Sequence, residues 1–128
     1  MPSIFGRSVI VTLTNKSGGG VIAGDVVIID AANDGAFTTT TSAAFTGTVG
    51  VAQETIASLA SGRVLVSGYA ALINVNASVT RGHYGATHTV AKQAASVGAS
   101  RVIGAFCQFL TGGTTPIAMV YPVDLQGA

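Results

Sequence analysis

The sequence predicts an all-β protein, a small barrel that is closed or partly open and contains little helix. Short runs rich in Val, Ile and Thr recur at close spacing, and glycine-containing turns separate them. A similar apolar phrase is also written twice, as TVGVAQ at residues 48–53 and as RVIGAFCQ at residues 101–108. No segment keeps a 3.6-residue apolar period over the length of a helix, which favours strands throughout.

The first half of the chain predicts four strands, at residues 8–15, 26–30, 37–41 and 48–53. In the first of them Val9, Val11 and Leu13 alternate with a second set of side chains, as in a strand. The Gly-Asp pair at 24–25 and the Asn-Asp-Gly run at 33–35 predict the turns on either side of the second strand. Residues 54–62 predict a loop.

The second half predicts strands at residues 63–67, 69–75, 101–110 and 116–121, and a turn followed by a short strand within residues 80–90. Gly68 is expected to break or bulge the chain between the first two of these. Residues 91–100 predict a loop or a helical turn rather than a strand. The glycine pair at 112–113 predicts the last turn.

The two halves also match each other beyond the doubled phrase. Gly24 would correspond to Gly82, Gly50 to Gly104, and residues 63–66 to residues 116–119. A period near fifty predicts two pseudo-repeated halves, each a half-barrel, that close one core. Closure would remove exposed strand edges. The alternative is chance, because Gly, Ala and Val are common throughout this chain.

The chain is unusually poor in charge: only 9% of its residues are charged, 48% are hydrophobic, and the mean hydropathy is +0.59. Its apolar runs are too short for a membrane-spanning helix, so no membrane association is expected. The net charge of +1, without a Lys/Arg cluster, predicts no nucleic-acid binding. We expect one domain at residues 8–122, an N-terminal arm at 1–7, a C-terminal tail at 123–128, and assembly into a homo-oligomer.

The titratable side chains predict no catalytic, cofactor or metal site, and therefore no enzyme. His83 and His88 lie five residues apart and lack the spacing of metal ligands. Cys107 lies in an apolar phrase and predicts a buried, unreactive thiol. Glu54 and Arg63 are expected to pair across a loop. Turn and capping roles are predicted for the acidic residues Asp25, Asp30 and Asp34.

The order of motifs resembles a family of small tailed-phage head proteins, the capsid decoration or head-stabilising (cement) proteins. The resemblance covers residues 21 to 110 and rests on AGDVVIID, TVGVAQETIASLASGRVLVSGYA, VTRGHYGATH and RVIGAFCQFL. Family members carry a Gly-Asp turn, then IGVA.E.IA.G..G.V.V.G, then a second Gly-Asp segment. This chain departs from the family at His83, where the second copy often has Asp, and at residues 91–94, AKQA, which replace Gly-Arg-Ala.

The resemblance implies a structural protein on the outer capsid surface of a virion. It would stabilise the shell as a homotrimer that cements neighbouring subunits of the major capsid protein, without a cofactor. We predict capsid contacts at Ile4 and Phe5 in the N-terminal arm, and at Tyr121 and Leu125 near the C-terminus. Two alternatives stay open: a receptor- or glycan-binding module of a head fibre or spike, and a structural protein of the neck or tail.

Overall fold

The computed structural model describes residues 8–123. This part of the chain is all β, as predicted, with nine strands and no helix. The strands are β1 (Val9–Asn15), β2 (Val26–Ile29), β3 (Ala36–Thr38), β4 (Val49–Ala52), β5 (Ser61–Ala70), β6 (Tyr84–Thr87), β7 (Ala94–Gly98), β8 (Cys107–Phe109) and β9 (Ala118–Val120).

Five strands close into a barrel. They follow the order β1-β3-β2-β4-β5, and β1 pairs back onto β5 along Val9–Thr14 to complete the ring. β1 runs parallel to β3 at Thr14 and Asn15, whereas the other pairs in the ring are antiparallel. The prediction of a small closed barrel is therefore confirmed.

The middle strands of this barrel are buried on both faces. β2 begins with three buried residues in succession and all four residues of β4 are buried. Both strands consequently read as unbroken apolar runs rather than as alternating patterns. Their inner face lines the barrel, and their outer face is covered by the second half of the chain.

The second half repeats the wiring of the first. Residues 68–70 of β5 pair with β9, and the order continues through β8 and β6 to β7. A parallel bridge between Val75 and Ala94 connects the segment after β5 to β7. It corresponds to the parallel contact between β1 and β3 in the barrel. We call residues 9–66 the first repeat and residues 68–120 the second repeat; they share the long strand β5.

Backbone hydrogen bonds recur at equivalent positions in the two repeats. The Gly24 N–H donates to Ala52 O, and the Gly82 N–H donates to Phe109 O, both at 2.8 Å. Both glycines have a positive φ, +93° and +87°, which an L side chain rarely adopts. The predicted match of Gly24 with Gly82 is therefore confirmed, because each opens the same turn before its strand.

A second set of bonds recurs between the loops that flank these strands. Val21 and Ile56 exchange two backbone hydrogen bonds of 3.0 and 2.9 Å, and Val79 and Gly113 exchange two of 2.9 and 3.0 Å. The fold is thus two copies of one hydrogen-bonding scheme. It differs from the prediction in that the strands of the first repeat, with β1 paired back onto β5, close a barrel by themselves, and β6 to β9 lie outside it. The reason is that β1 precedes the matched segments and completes the ring.

Two of the predicted residue matches are wrong by a few positions. Strand pairing places Gly50 opposite Val27 and Cys107 opposite Gly85, so Gly50 corresponds to Cys107 and not to Gly104. Gly104 instead lies in a turn closed by the Ala105 N–H on the Val102 carbonyl. In the same way residues 63–66 correspond to 117–120 rather than to 116–119, because Leu65 and Met119 pair with equivalent residues.

The buried apolar residues form two clusters. The inside of the closed barrel holds Val21, Val27, Phe37, Ala52, Ile56 and Val64. A larger cluster combines the outer face of β2 and β4 with residues of β7, β8 and β9. This shared cluster fastens the two repeats together, since it removes apolar surface of both from water.

Strand ends differ from the prediction where loops connect the repeats. The loop or helical turn expected at residues 91–100 contains β7, an Ala-Ser-Val-Gly strand of low intrinsic signal that pairs with β6. The strand expected at 101–110 is confined to β8, because the turn around Gly104 occupies its first half. Gly68 carries the predicted irregularity as a φ of +125°, although β5 continues through it.

Candidate functional site

An open groove of about 550 Å³ lies where the two ends of the described chain meet. Val9 at the start of β1 forms one wall, and Pro122 and Val123 after β9 form another. The remaining lining residues come from the approach to β4 and from β5; they are Thr46, Gly47, Thr48, Val49, Val66 and Ser67. We call this surface the terminal groove.

The terminal groove is apolar and carries no charged side chain among its lining residues. Its polar groups are the hydroxyls of Thr46, Thr48 and Ser67. Such a surface suits an apolar side chain with a few backbone hydrogen bonds, rather than a charged ligand or a metal ion.

Exposed apolar side chains continue the surface beyond the groove. Val9 is 54% exposed and Ile10 is 45% exposed, side by side at the start of β1. Large apolar residues are exposed elsewhere on the described surface too, at Ile22, Ile29, Leu59, Tyr69, Leu72, Val90, Ile103 and Leu110. Scattered exposed apolar residues are ordinary, but Val9 lines an apolar groove and so forms one patch with it.

The predicted contact residues lie at or beyond the edges of this surface. Tyr121 immediately precedes Pro122 of the groove, and its half-buried ring packs against the fold. Its hydroxyl donates to the Cys107 carbonyl at 3.3 Å, and the Arg101 guanidinium lies 5.9 Å from the ring centroid. Tyr121 therefore has a structural role in addition to any contact. Ile4, Phe5 and Leu125 lie outside the described residues.

The equivalent place in the second repeat is filled by aromatic side chains. By the register of the repeats, Val49 corresponds to Phe106 and Ser67 corresponds to Tyr121. Phe106 is fully buried, and the Tyr121 N–H donates to its carbonyl at 2.9 Å. The groove in the first repeat is thus lined by smaller side chains at two positions where the second repeat has aromatic rings.

Several titratable groups of the described chain have structural partners. The side chain of His83 lies 3.3 Å from the Ser96 hydroxyl. Asp25 accepts the Ile22 N–H at 2.9 Å, and Asp30 accepts the Ala32 N–H at 2.8 Å, so both stabilise turns as predicted. Within residues 8–123 no three His, Cys, Asp or Glu side chains lie close enough to hold a metal ion.

Cys107 is the buried thiol that the sequence predicts. Burial raises its pKa from 9.0 to about 12, against a small opposing effect of the hydrogen bond with the Gly85 backbone. The thiolate is the reactive form of cysteine, so this thiol is unreactive at neutral pH.

The Glu54–Arg63 pair also forms across its loop as predicted, with 3.3 Å between Nε and Oε2. The Arg63 backbone N–H also donates to the same carboxylate oxygen, at 2.9 Å. The hydrogen bond with that N–H, aided by the Arg63 side chain, lowers the pKa of Glu54. Both side chains are well exposed, so the pair is a surface loop clamp.

Comparisons with known proteins add no relative: no family model, curated protein or solved structure matches the chain. Among residues 8–123, no helix is long and apolar enough to cross a membrane.

The sequence predicted contact residues near the two ends of the chain but did not predict the terminal groove. The groove joins residues from four separate segments, and only the strand pairing brings them together. A usable signal was present in the repeat, because Val49 and Ser67 are small where the second repeat has Phe106 and Tyr121. This signal is visible only when the two repeats are aligned in the correct register, and the alignment predicted from the sequence is wrong by a few positions.

Proposed function

We propose that this chain is a structural virion protein that binds the outer surface of a tailed-phage capsid. In this proposal it stabilises the shell, as a homotrimer, by linking neighbouring subunits of the major capsid protein. The observation that carries the proposal is the apolar patch formed by the terminal groove with the exposed Val9, on a chain with only six Lys/Arg and five Asp/Glu residues. A surface of this kind is typical of proteins that function against other protein surfaces.

The motifs of the resemblance support the proposal through the fold. A Cβ at Gly50 would lie 2.6 Å from Val64 Cγ1, and one at Gly62 would lie 2.4 Å from Ile56 Cγ1. Both positions require glycine because strands and side chains approach closely there. The glycine motif shared with the head proteins therefore describes the packing of this barrel.

The architecture also suits a lattice-bound protein. Two fused repeats give a fold whose interior is filled by its own side chains, and the apolar patch is left for contact with a partner. A contact of modest area is weak by itself. On a capsid the same contact is repeated at many sites, and three linked copies engage several of them together, which raises the overall affinity.

The test is a copy count on particles purified from the source that encodes the chain. Mass spectrometry quantifies the chain against the major capsid protein, with a known minor tail protein as the internal reference. Hundreds of copies in a simple ratio to the capsid subunit would support the decoration role. A handful to a few dozen would favour the fibre or neck alternatives, and absence from particles would overturn the virion proposal.

The contact residues have a separate test on emptied particles that lack the protein. Deletion of residues 1–6, which contain Ile4 and Phe5, is expected to weaken re-attachment while the circular dichroism spectrum stays unchanged. A matched Leu59→Ser variant alters an exposed apolar residue outside the groove and is expected to bind normally. Normal attachment by the truncated protein would contradict the arm contact.

A further inference from the structure

We infer that the terminal groove receives Ile4 and Phe5 from a second copy of this chain, so that copies join head to tail and these two residues affect capsid attachment through the oligomer rather than by direct contact. The inference rests on the homo-oligomer of the proposed function but not on its capsid partner. Three observations on the described residues lead to it: the filling of the equivalent place in the second repeat, the charge of the groove, and the position of the chain end.

The shape of the groove comes from what the second repeat places at the same positions. There Phe106 and Tyr121 stand at the positions equivalent to Val49 and Ser67, and Phe106 is 0% exposed. In the first repeat Val49 and Ser67 line the open groove. The second repeat therefore places aromatic rings at these positions from its own strands, whereas in the first repeat the groove is free to receive an aromatic side chain from another segment.

The chemistry of the groove matches the N-terminal segment. No lining side chain is charged, and Ile4 and Phe5 are apolar, with Arg7 two residues further along the chain as the nearest charged side chain. Burial of an aromatic and an aliphatic side chain in such a groove removes apolar surface from water without stranding a charge. The tail at residues 124–128 fits less well, because it begins with Asp124.

The position of the chain end favours a second copy over the same copy. Val9 lines the groove and is also where β1 begins. Extended backbone advances about 3.3 Å per residue, so a continuation of β1 would carry Phe5 about 13 Å past Val9. A return into the same groove needs a reversal within residues 6–8, whereas a neighbouring copy can be reached without one.

A contact of this kind sets the form of the assembly. Each copy offers one segment and one groove, and these are different surfaces, so the contact is heterologous. A heterologous contact closes into a ring when the rotation between copies permits it. With Phe5 four residues ahead of Val9, the groove of the next copy would lie within about 13 Å of the start of the donating strand. A closed ring of three copies would be the proposed homotrimer.

The experiment uses two complementary variants of the full chain. Phe5→Ser removes the donated ring and keeps the groove open. Ser67→Tyr places in the groove the residue found at the equivalent position 121 and keeps the segment intact. Light scattering during size-exclusion chromatography is expected to show an oligomer for the unaltered chain. Each variant alone should self-associate about tenfold more weakly or worse.

Mixing the two variants separates exchange between copies from docking within one copy. The intact segment of the Ser67→Tyr variant can enter the open groove of the Phe5→Ser variant, so the mixture should form a one-to-one complex that neither forms alone. Leu59→Ser serves as the matched surface control and should remain oligomeric. A monomeric unaltered chain, or a mixture that stays monomeric, would overturn the inference. The copy number on particles is measured independently, so a failure here does not decide the capsid proposal.

Discussion

The two repeats share a hydrogen-bonding scheme and fill it with different side chains. In each, a glycine turn, a short strand and its antiparallel partner recur with the same donors and acceptors. The aromatic side chain of the interior nevertheless comes from a different strand in each repeat, Phe37 of β3 in the first and Phe109 of β8 in the second. The equivalent interior residues are Val27, Phe37 and Ala52 in the first repeat and Gly85, Ala94 and Phe109 in the second. Backbone wiring is thus retained while core volume moves between strands.

This difference explains why glycine is required on opposite strands of the equivalent pair, at Gly50 in the first repeat and at Gly85 in the second. Gly50 stands where the first repeat brings Val64 close, and a Cβ there would lie 2.6 Å from Val64 Cγ1. Gly85 stands opposite the larger residues of the second repeat, and a Cβ there would lie 2.6 Å from Cys107 Sγ and 2.8 Å from Phe109 Cζ. A small residue on one strand accompanies a large one on its partner. The two residues of a pair must therefore be considered together to see which side chains fit at that position.

The largest expected effect comes from copying the first repeat into the second at one position. Gly85→Val reproduces Val27 but places a branched side chain against Phe109 and Cys107. Both contacts are buried, so the strands must separate or the ring must leave its position. We expect a loss of about 3 kcal/mol or more in the free energy of unfolding, measured by urea denaturation.

The control makes the same change where the partners also match the first repeat. In a Cys107→Gly/Phe109→Ala background, which reproduces Gly50 and Ala52, the added Gly85→Val should be neutral or stabilising because it fills the space vacated. If that background does not fold, the added valine should restore folding. An equal loss from Gly85→Val in both backgrounds would show that the two repeats are not interchangeable frames.

Much of the wiring could be predicted from sequence, and its packing could not. The Gly-Asp turn at 24–25 and the match of Gly24 with Gly82 were predictable, because a positive φ requires a specific residue type. The register of β8 was not, since the glycine at 104 resembles that at 50 in sequence but lies in a turn. Local signals identify turns, whereas the side of a pair that holds the large residue depends on long-range contacts.

The terminal groove shows the same limit. Each lining segment reads as an ordinary strand or loop, and none contains a motif. The predicted contact residue Tyr121 marks the correct corner of the fold, although its hydroxyl is engaged with the Cys107 carbonyl. Composition predicted that some surface would be apolar, but only the pairing of β1 with β5 determines where that surface lies.

The second effect concerns the junction that keeps the repeats in one strand. Gly68 joins the part of β5 that belongs to the barrel to the part that pairs with β9, and its φ is +125°. Gly68→Ala forces an L side chain into a conformation that costs about 1–3 kcal/mol. Urea denaturation should show this loss, and Gly19→Ala, which meets no atom within 4 Å, should change stability by less than about 0.5 kcal/mol. Equal effects of the two changes would contradict the strain at the junction.

The third effect is a pH dependence of stability that arises from Cys107, at the position where the first repeat has Gly50. The pKa of the Cys107 thiol is raised from 9.0 to about 12 in the folded chain, so the folded state favours the protonated form. Its contribution is complete below the unfolded pKa and is lost as pH rises from about 9 towards 12, at up to about 1.4 kcal/mol per pH unit. Unfolding free energies measured between about pH 8 and pH 10.5 should therefore fall more steeply for the unaltered chain than for Cys107→Ala. Parallel slopes would show that the thiol is not protected from ionisation.

The smallest effect concerns how each repeat satisfies one backbone N–H. In the first repeat the Arg63 N–H donates to the Glu54 carboxylate at 2.9 Å, and in the second the Ile117 N–H donates to the Thr111 hydroxyl at 2.9 Å. The pKa of Glu54 is lowered mainly by the Arg63 N–H, so this carboxylate contributes stability above its unfolded pKa, and the contribution is lost as pH falls through the lowered value.

Glu54→Thr should replace this acid-sensitive acceptor with the neutral acceptor of the second repeat. We expect a slightly lower melting temperature than that of the unaltered chain at about pH 7, where the carboxylate is charged. The difference should become smaller at acid pH, below the lowered pKa of Glu54, where the carboxylate is protonated. Thermal unfolding at both pH values measures this directly. A difference that persists unchanged in acid would mean that the loop is stabilised by the shape of the Glu54 side chain rather than by its charge, and that the two repeats hold their loops by different means.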